Sequence, residues 1–336
     1  MPNDSHASNT GTRGRYDNVL AAVGDTPLIR INKLAEGLKT TIYVKPEYMN
    51  PGGSIKDRMA IHVLNKAMGE GKIGPNTAIV EATSGNTGLA MAMFGAVHNL
   101  RVILTIPDKM SFEKIDAVKA YGAEVHVCKT DVPPGSPDSY INVAKRLGEE
   151  TGDYFLLNQY NTMDNPEAHY VQTGPEIWRQ TDGNIDVLVG GVGTGGTMSG
   201  TSKFLKEMNP KIVTVAADPV GSILKQYKEH GTKDGPAPYL VEGIGEDEVY
   251  DAVLFEYLDE FVKVTDKDSF LTARSLTAKE GIWVGGSAGT AMWAALDWAR
   301  RNDRDQTMVV ILPDSGVKYL SKIYNDDWMK KQGFIE

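Results

Sequence analysis

Asn50-Pro51-Gly52-Gly53-Ser54-Ile55-Lys56-Asp57-Arg58 is a glycine-bearing loop that follows a β-rich run at 41–45 and ends by opening a helical pattern. The glycine pair lets the backbone turn sharply, so the lysine behind it falls in the first turn of the helix. An ammonium group there lies at the positive end of the helix dipole, which lowers its pKa toward the free amine that attacks carbonyls. Lys56 therefore reads as a nucleophile suited to imine chemistry. The plain alternative is a solvated lysine paired with Asp57.

Outward from this loop, short β-rich runs recur at 78–81, 102–106, 125–128, 155–158, 187–190, 212–217, 260–264 and 309–312. Helical patterns lie between them at 57–70, 88–98, 113–121, 139–151, 168–180 and 197–208, each long enough for a crossover helix. This alternation predicts an α/β fold built on parallel strands. The turn formers at 133–137 and 232–238 predict surface loops.

A chain of 336 residues, 41% hydrophobic, is too long for one ordinary core and predicts two domains. Its net charge of -9 disfavours binding to a phosphate backbone, so no nucleic-acid partner is expected. Cys128 is the single cysteine, which rules out an internal disulfide or a cysteine-cluster metal site, and no metal is expected. Residues 1–15 are polar and read as a loose tail rather than a signal peptide. No apolar run reaches the roughly 20 residues of a membrane helix, and a cytoplasmic, membrane-free setting is expected.

Ligands of open α/β sheets sit outside the carboxyl ends of the strands, and several loops there carry glycine and hydroxyl chemistry. Thr83-Ser84-Gly85-Asn86-Thr87-Gly88 joins a strand to an apolar helix and reads as an anion site or as an ordinary capped turn. Gly191-Val192-Gly193-Thr194-Gly195-Gly196-Thr197 can wrap a phosphate in backbone amides. It also satisfies the dinucleotide fingerprint, with Asp218 near the expected offset, so an NAD-dependent oxidoreductase is a rival. Gly285-Gly286-Ser287-Ala288-Gly289-Thr290 and Pro313-Asp314-Ser315-Gly316 each read as a site loop or as a packing turn. A dinucleotide leaves Lys56 and the Thr83 loop without a role. Pyridoxal phosphate uses a lysine, a phosphate cradle and a carboxylate cradle together.

The Lys56 loop and the loops at 83–88, 191–197 and 285–289, in this order and spacing from about residue 16 to residue 334, resemble the β-family of pyridoxal phosphate enzymes, which includes cystathionine β-synthases and cysteine synthases. Lys109 to Asp116, Ala168-His169-Tyr170, Val241 to Gly245 and Trp328 to Phe334 lean toward the former; Thr173 to Trp178 looks equally like the latter. The resemblance implies a fold type II architecture, with two open twisted sheets flanked by helices and the site between domains. It implies a smaller domain at 46–155 with a mobile part at 108–130, and a larger one from 16–45 plus 156–336.

By the same resemblance, Lys56 holds the cofactor as an internal aldimine and Asn86 meets its ring hydroxyl. Gly193, Thr194, Gly195, Gly196 and Thr197 bind its phosphate, Ser287 faces its ring nitrogen, and Pro313 and Asp314 complete the cofactor site. Thr83, Ser84, Gly85, Thr87, Gln159 and Tyr160 take the substrate carboxylate. Glu242, with Gly243, meets the amino group of an incoming homocysteine, or else is a solvated loop carboxylate. The reaction implied is β-replacement through an aminoacrylate, joining L-serine or O-acetylserine to homocysteine, with sulfide as the alternative nucleophile. A non-catalytic binding protein of this fold would be expected to lack Lys56 or the carboxylate loop. The partners implied are small amino acids and a second copy in a homodimer. The first 40 residues hold His6 and no cysteine, so haem is not expected; with the sequence given ending at Glu336, regulation through the C-terminal tandem of some relatives is not expected either, unless the sequence is a piece of a longer chain.

Overall fold

The computed structural model describes residues 14–83, 85–108, 110, 112–129, 132, 136–233 and 235–336. The strands are β1 (Ile29–Arg30), β2 (Thr40–Pro46), β3 (Ala78–Ala82), β4 (Val102–Pro107), β5 (Glu124–Cys128), β6 (Tyr154–Leu156), β7 (Val187–Gly191), β8 (Val213–Pro219), β9 (Glu260–Val264) and β10 (Gln306–Leu312). They form two sheets, one ordered β1-β2-β10-β7-β8-β9 and the other β5-β4-β3-β6. Every pairing is parallel except β1 with β2.

Central strands of such sheets are covered on both faces and become continuous apolar runs. Ala78–Ala82 and Val102–Pro107 are buried throughout. The helix Gly286–Arg301 covers one face of the larger sheet, packing Ala288, Ala291, Met292 and Ala295 with Val187, Val189 and Val215. The opposite face is closed by Met198 and Leu205 of the helix Gly196–Met208, which meet Leu188, Ala216 and Val309. In the smaller sheet, Met59, Val63 and Leu64 of the helix Lys56–Gly69 join Met91 and Phe94 over Ile79 and Leu104.

The structure departs from the sequence expectation at several places. Residues 168–180 are not one helix: Asp164–Ala168 and Gly174–Gln180 are α-helical, with a π-helical turn, His169–Thr173, between them. The expected strand at 155–158 ends at Leu156, two residues before Asn158 turns left-handed with φ 52°. The two-residue β1 and the helices Leu224–His230, Asp266–Ser275 and Asp326–Lys331 were not foreseen. The expected tail falls almost wholly outside the described residues.

A buried ion cluster anchors the helix that opens at Lys56. Arg58 bonds Glu47 through Nε at 2.7 Å and Glu176 through Nη1 at 2.8 Å, while Lys45 Nζ reaches Glu176 at 2.6 Å. Two cations and two carboxylates cancel in this dry site, which is the condition under which buried charge is tolerated. Burial alone would raise Glu47, but the Arg58 guanidinium holds it down at about 2.

Candidate active site

The loops after β2, β3, β6, β7 and β10 converge on one cavity of about 1070 Å³, at the carboxyl ends of both sheets. Lys56, Asn86, Thr87, Gln159, Tyr160, Gly193, Thr194, Gly195, Thr197, Glu242, Gly243, Ser287 and Pro313 line it.

Lys56 is the first residue of its helix, and its Nζ donates to Thr194 Oγ1 at 3.3 Å. It is not paired with Asp57, whose Oδ2 accepts the Gly52 N–H at 2.6 Å. Burial lowers the amine to about 8, against the raising charge of Glu246. Desolvation by the cavity wall therefore prepares the free amine.

The loop opposite Lys56 is built for close approach. A Cβ on Gly196 would fall 1.8 Å from Asn165 Oδ1, and one on Gly193 would fall 2.5 Å from the Gly243 carbonyl. The loop feeds the N-terminus of the helix Gly196–Met208, where backbone N–H groups favour an anion. Two side chains from the broken helix brace it. Asn165 Nδ2 donates to Thr194 Oγ1 at 3.1 Å, and His169 Nε2 meets Thr197 Oγ1 at 3.2 Å. Burial, then the nearby Arg58 and Lys56, keep His169 neutral, far below the usual imidazole range.

On the other wall, Thr87 Oγ1 donates to Gln159 Oε1 at 2.7 Å. Gln159 Nε2 reaches the Ala82 carbonyl at 3.3 Å, and Glu81 accepts the Asn158 N–H at 2.8 Å. Burial pushes Glu81 up to about 8 despite that bond. Thr83 does not face the cavity: it is buried under the loop, where its Oγ1 accepts the N–H groups of Gly85 and Gly88. Gly85 has φ 129° and begins the turn into the helix Asn86–His98. Ser84 lies outside the described residues.

Ser287 lies in the first turn of the helix Gly286–Arg301 and lines the cavity. Asp314 stands behind the wall, its Oδ2 accepting Asn86 Nδ2 and the Tyr319 hydroxyl, both at 2.8 Å. Glu242 is no solvated loop carboxylate. Lys114 Nζ holds one oxygen at 2.5 Å and Lys322 Nζ the other at 2.6 Å. Burial would raise it, and the two ammonium groups overcome that and hold it below the usual range.

Glu246 is the carboxyl that sequence reasoning passed over. It lines the cavity beside Tyr140, Tyr160, Tyr239 and Tyr250, with the Tyr160 and Tyr250 rings 4.4 Å apart. Burial and Asp247 push it up to about 8, with Lys56 opposing. Lys114, Glu81, Asn165 and Lys318 were also missed, since their roles depend on contacts across the fold. His169 was noticed only as part of a resemblance.

The residues present fit a phosphorylated aldehyde: a desolvated amine faces a glycine cradle at a helix N-terminus, with amide and hydroxyl groups lining the space between. They do not fit a dinucleotide held by Asp218, which is buried and paired with Lys263 at 2.6 Å. Among the described residues there is no cluster able to hold a metal ion and no helix long and apolar enough to cross a membrane.

The family model for pyridoxal-phosphate dependent enzymes matches residues 19–314. The chain is 46% identical over 325 residues to the cystathionine beta-synthase of Saccharomyces cerevisiae, covering 94% of this chain and 64% of that one. It is 42% identical to that of Apis mellifera, covering 95% of this chain and 63% of that one. It thus spans less than two thirds of these relatives. Similar solved structures include a hydrogen sulfide-producing enzyme from Fusobacterium nucleatum, with a TM-score of 0.85, 37% identity and coverage of 91% of this chain and all of that one. Another is an O-acetylserine dependent cystathionine beta-synthase from Helicobacter pylori, with a TM-score of 0.85, 35% identity and coverage of 93% of this chain and all of that one.

Proposed function

This chain belongs to the pyridoxal-phosphate dependent enzymes, and on that premise we propose that it condenses L-serine or O-acetylserine with L-homocysteine to cystathionine by β-replacement. The observation that carries the reading is the shared cavity, in which Lys56, with an amine lowered to about 8, faces both the glycine cradle and the Thr87–Gln159 pair. The relatives named cystathionine beta-synthase support the choice of second substrate.

When bound, pyridoxal phosphate supplies an electron sink for the carbanion at the substrate α-carbon. The residues of the chain do the rest. Lys56 anchors the cofactor, takes the α-proton once its amine is released, and returns it to the product. The loop from Gly193 to Thr197 holds the phosphate, Asn86 meets the ring oxygen, and Ser287 meets the ring nitrogen with a neutral hydroxyl. Thr87, Gln159 and the loop containing Gly85 hold the substrate carboxylate at the start of the helix Asn86–His98. The link from Lys114 to Glu242 supports a site that closes against water.

Both Glu242 oxygens are engaged by lysines, so we assign the ammonium of homocysteine to Glu246. A cation arriving there would draw the proton from its raised carboxyl. Glu246→Gln should raise the homocysteine KM about tenfold while changing turnover with sulfide by much less; an unchanged homocysteine KM would return the assignment to another group.

The test of function is to mix the protein with L-serine or O-acetylserine, follow the visible spectrum, and add homocysteine or sulfide in parallel. Cystathionine as product supports the reading. Cysteine formed from sulfide alone would make the protein a cysteine synthase, the second reading. The same reading includes a cytoplasmic homodimer, with domains at 46–155 and at 16–45 plus 156–336 and movement within 108–130. The division of strands between the sheets supports that partition.

A further inference from the structure

Lys318 enters the back of the site from the segment after β10 and touches two of the loops already described. Its Nζ donates to Asn86 Oδ1 at 2.7 Å and to the Gly53 carbonyl at 3.1 Å, in the loop that leads to Lys56. On the other side of the same amide, Asn86 Nδ2 donates to Asp314 Oδ2 at 2.8 Å. An ammonium group can only donate and a carboxylate can only accept, so these two neighbours admit one orientation of the Asn86 amide. The amide oxygen is taken by Lys318, and one N–H remains on a side chain that lines the cavity.

We propose that Lys318 is a positioning residue: it fixes Asn86 as a hydrogen-bond donor and places positive charge directly behind it, so that the cofactor ring oxygen held by Asn86 stays anionic. The proposal rests on the role given to Asn86 under Proposed function. A donor backed by a cation favours the charged form of the acceptor in front of it. The charged groups around Lys318 come from several elements: Asp57 from the helix Lys56–Gly69, Asp314 from the end of β10, and Lys114 from the helix Phe112–Ala120. Burial lowers the Lys318 amine, and Asp314 and Asp57 oppose that. The Tyr319 hydroxyl shares Asp314 with Asn86, which keeps the carboxylate in place.

The experiment is a pH titration of the visible absorbance of the holoenzyme, which reports the ionisation of the cofactor ring without turnover. Lys318→Met should raise the midpoint by about one pH unit or more, while Lys318→Arg should titrate like the wild type. Lys318→Gln keeps a donor toward Asn86 but not the charge, and should move in the same direction as Lys318→Met. If the Met and Gln variants keep the wild-type midpoint while Asn86→Ala shifts it, the proposal fails and the role of Asn86 stands. If Asn86→Ala has no effect either, the reading of Asn86 fails with it. A wild-type protein that takes up no cofactor overturns both.

Discussion

Lys114 Nζ lies 2.5 Å from Glu242 Oε2, joining the helix Phe112–Ala120 beside the smaller sheet to a loop of the larger one that lines the cavity. The lysine stem also covers Gly85, where an added Cβ would fall 2.8 Å from Lys114 Cδ. Lys322 grips the other Glu242 oxygen, so the carboxylate ties three segments together.

Cutting that tie should loosen closure without removing a reacting group. Lys114→Ala is expected to raise the fraction of first substrate lost to pyruvate, because water reaches the site more often during the reaction. The ratio of pyruvate to condensed product measures this. A ratio equal to the wild type would show that the contact does not control access.

The amine of Lys56 predicts a pH dependence for cofactor capture. With burial lowering it to about 8, the free amine fraction grows as pH rises through that value, and the rate at which apoenzyme takes up pyridoxal phosphate should grow with it. Glu246 titrates in the same region and raises Lys56 when ionised, so the observed midpoint belongs to the pair. Glu246→Gln should move the midpoint to lower pH; a midpoint that stays or rises contradicts the coupling.

Stability should carry its own pH signature. Burial raises Asp57 to about 7 and Glu81 and Glu246 to about 8, from the ordinary carboxylate range of about 4. The folded chain therefore keeps protons that the unfolded chain has released, and these groups make stability fall as pH rises from about 4 to about 8. Glu47 has the opposite sign: held at about 2, its contribution is present above about 4.5 and is lost as pH falls toward 2. In thermal melts of apoenzyme, Glu81→Gln should flatten the decline above pH 5 or so, and a variant as steep as the wild type would contradict the shift.

Gly196→Ala should cost about 1–3 kcal/mol of stability, the range for forcing extra atoms into a packed site. The new methyl would displace Asn165, which also holds Thr194. Cofactor retention after gel filtration should fall further than the melting temperature suggests. Full retention would mean that the cradle tolerates the shift.

Much of this was legible in the chain. The apolar strands read at 78–81 and 102–106 and the glycine loops at 52–53 and 191–197 are local signals, because strand burial and close backbone approach leave their mark on consecutive residues. Lys56 could be singled out, but the stated reason was incomplete: burial is the leading cause of its lowered pKa. Thr83 and Asp314 were placed at the ligand, whereas both stand one layer back, supporting the residues that face the cavity. Glu242 and Glu246 are four residues apart in one acidic loop, and their different fates depend on Lys114 and Lys322, which lie far away in sequence. No local pattern encodes such pairings.

The π-helical turn His169–Thr173 sets how tolerant the chain is to a change of length. Its closing bond runs from the Gly174 N–H to the His169 carbonyl, one residue wider than an α-helical bond. Deleting one residue there would restore an unbroken helix from 164 to 180, an apparent gain in regularity. It would also turn the preceding segment by about 100°, carrying Asn165 and His169 away from Thr194 and Thr197. The irregularity acts as a phase setting between a scaffold and the loop it supports, so shortening this segment by one residue should remove the cradle while leaving both sheets intact.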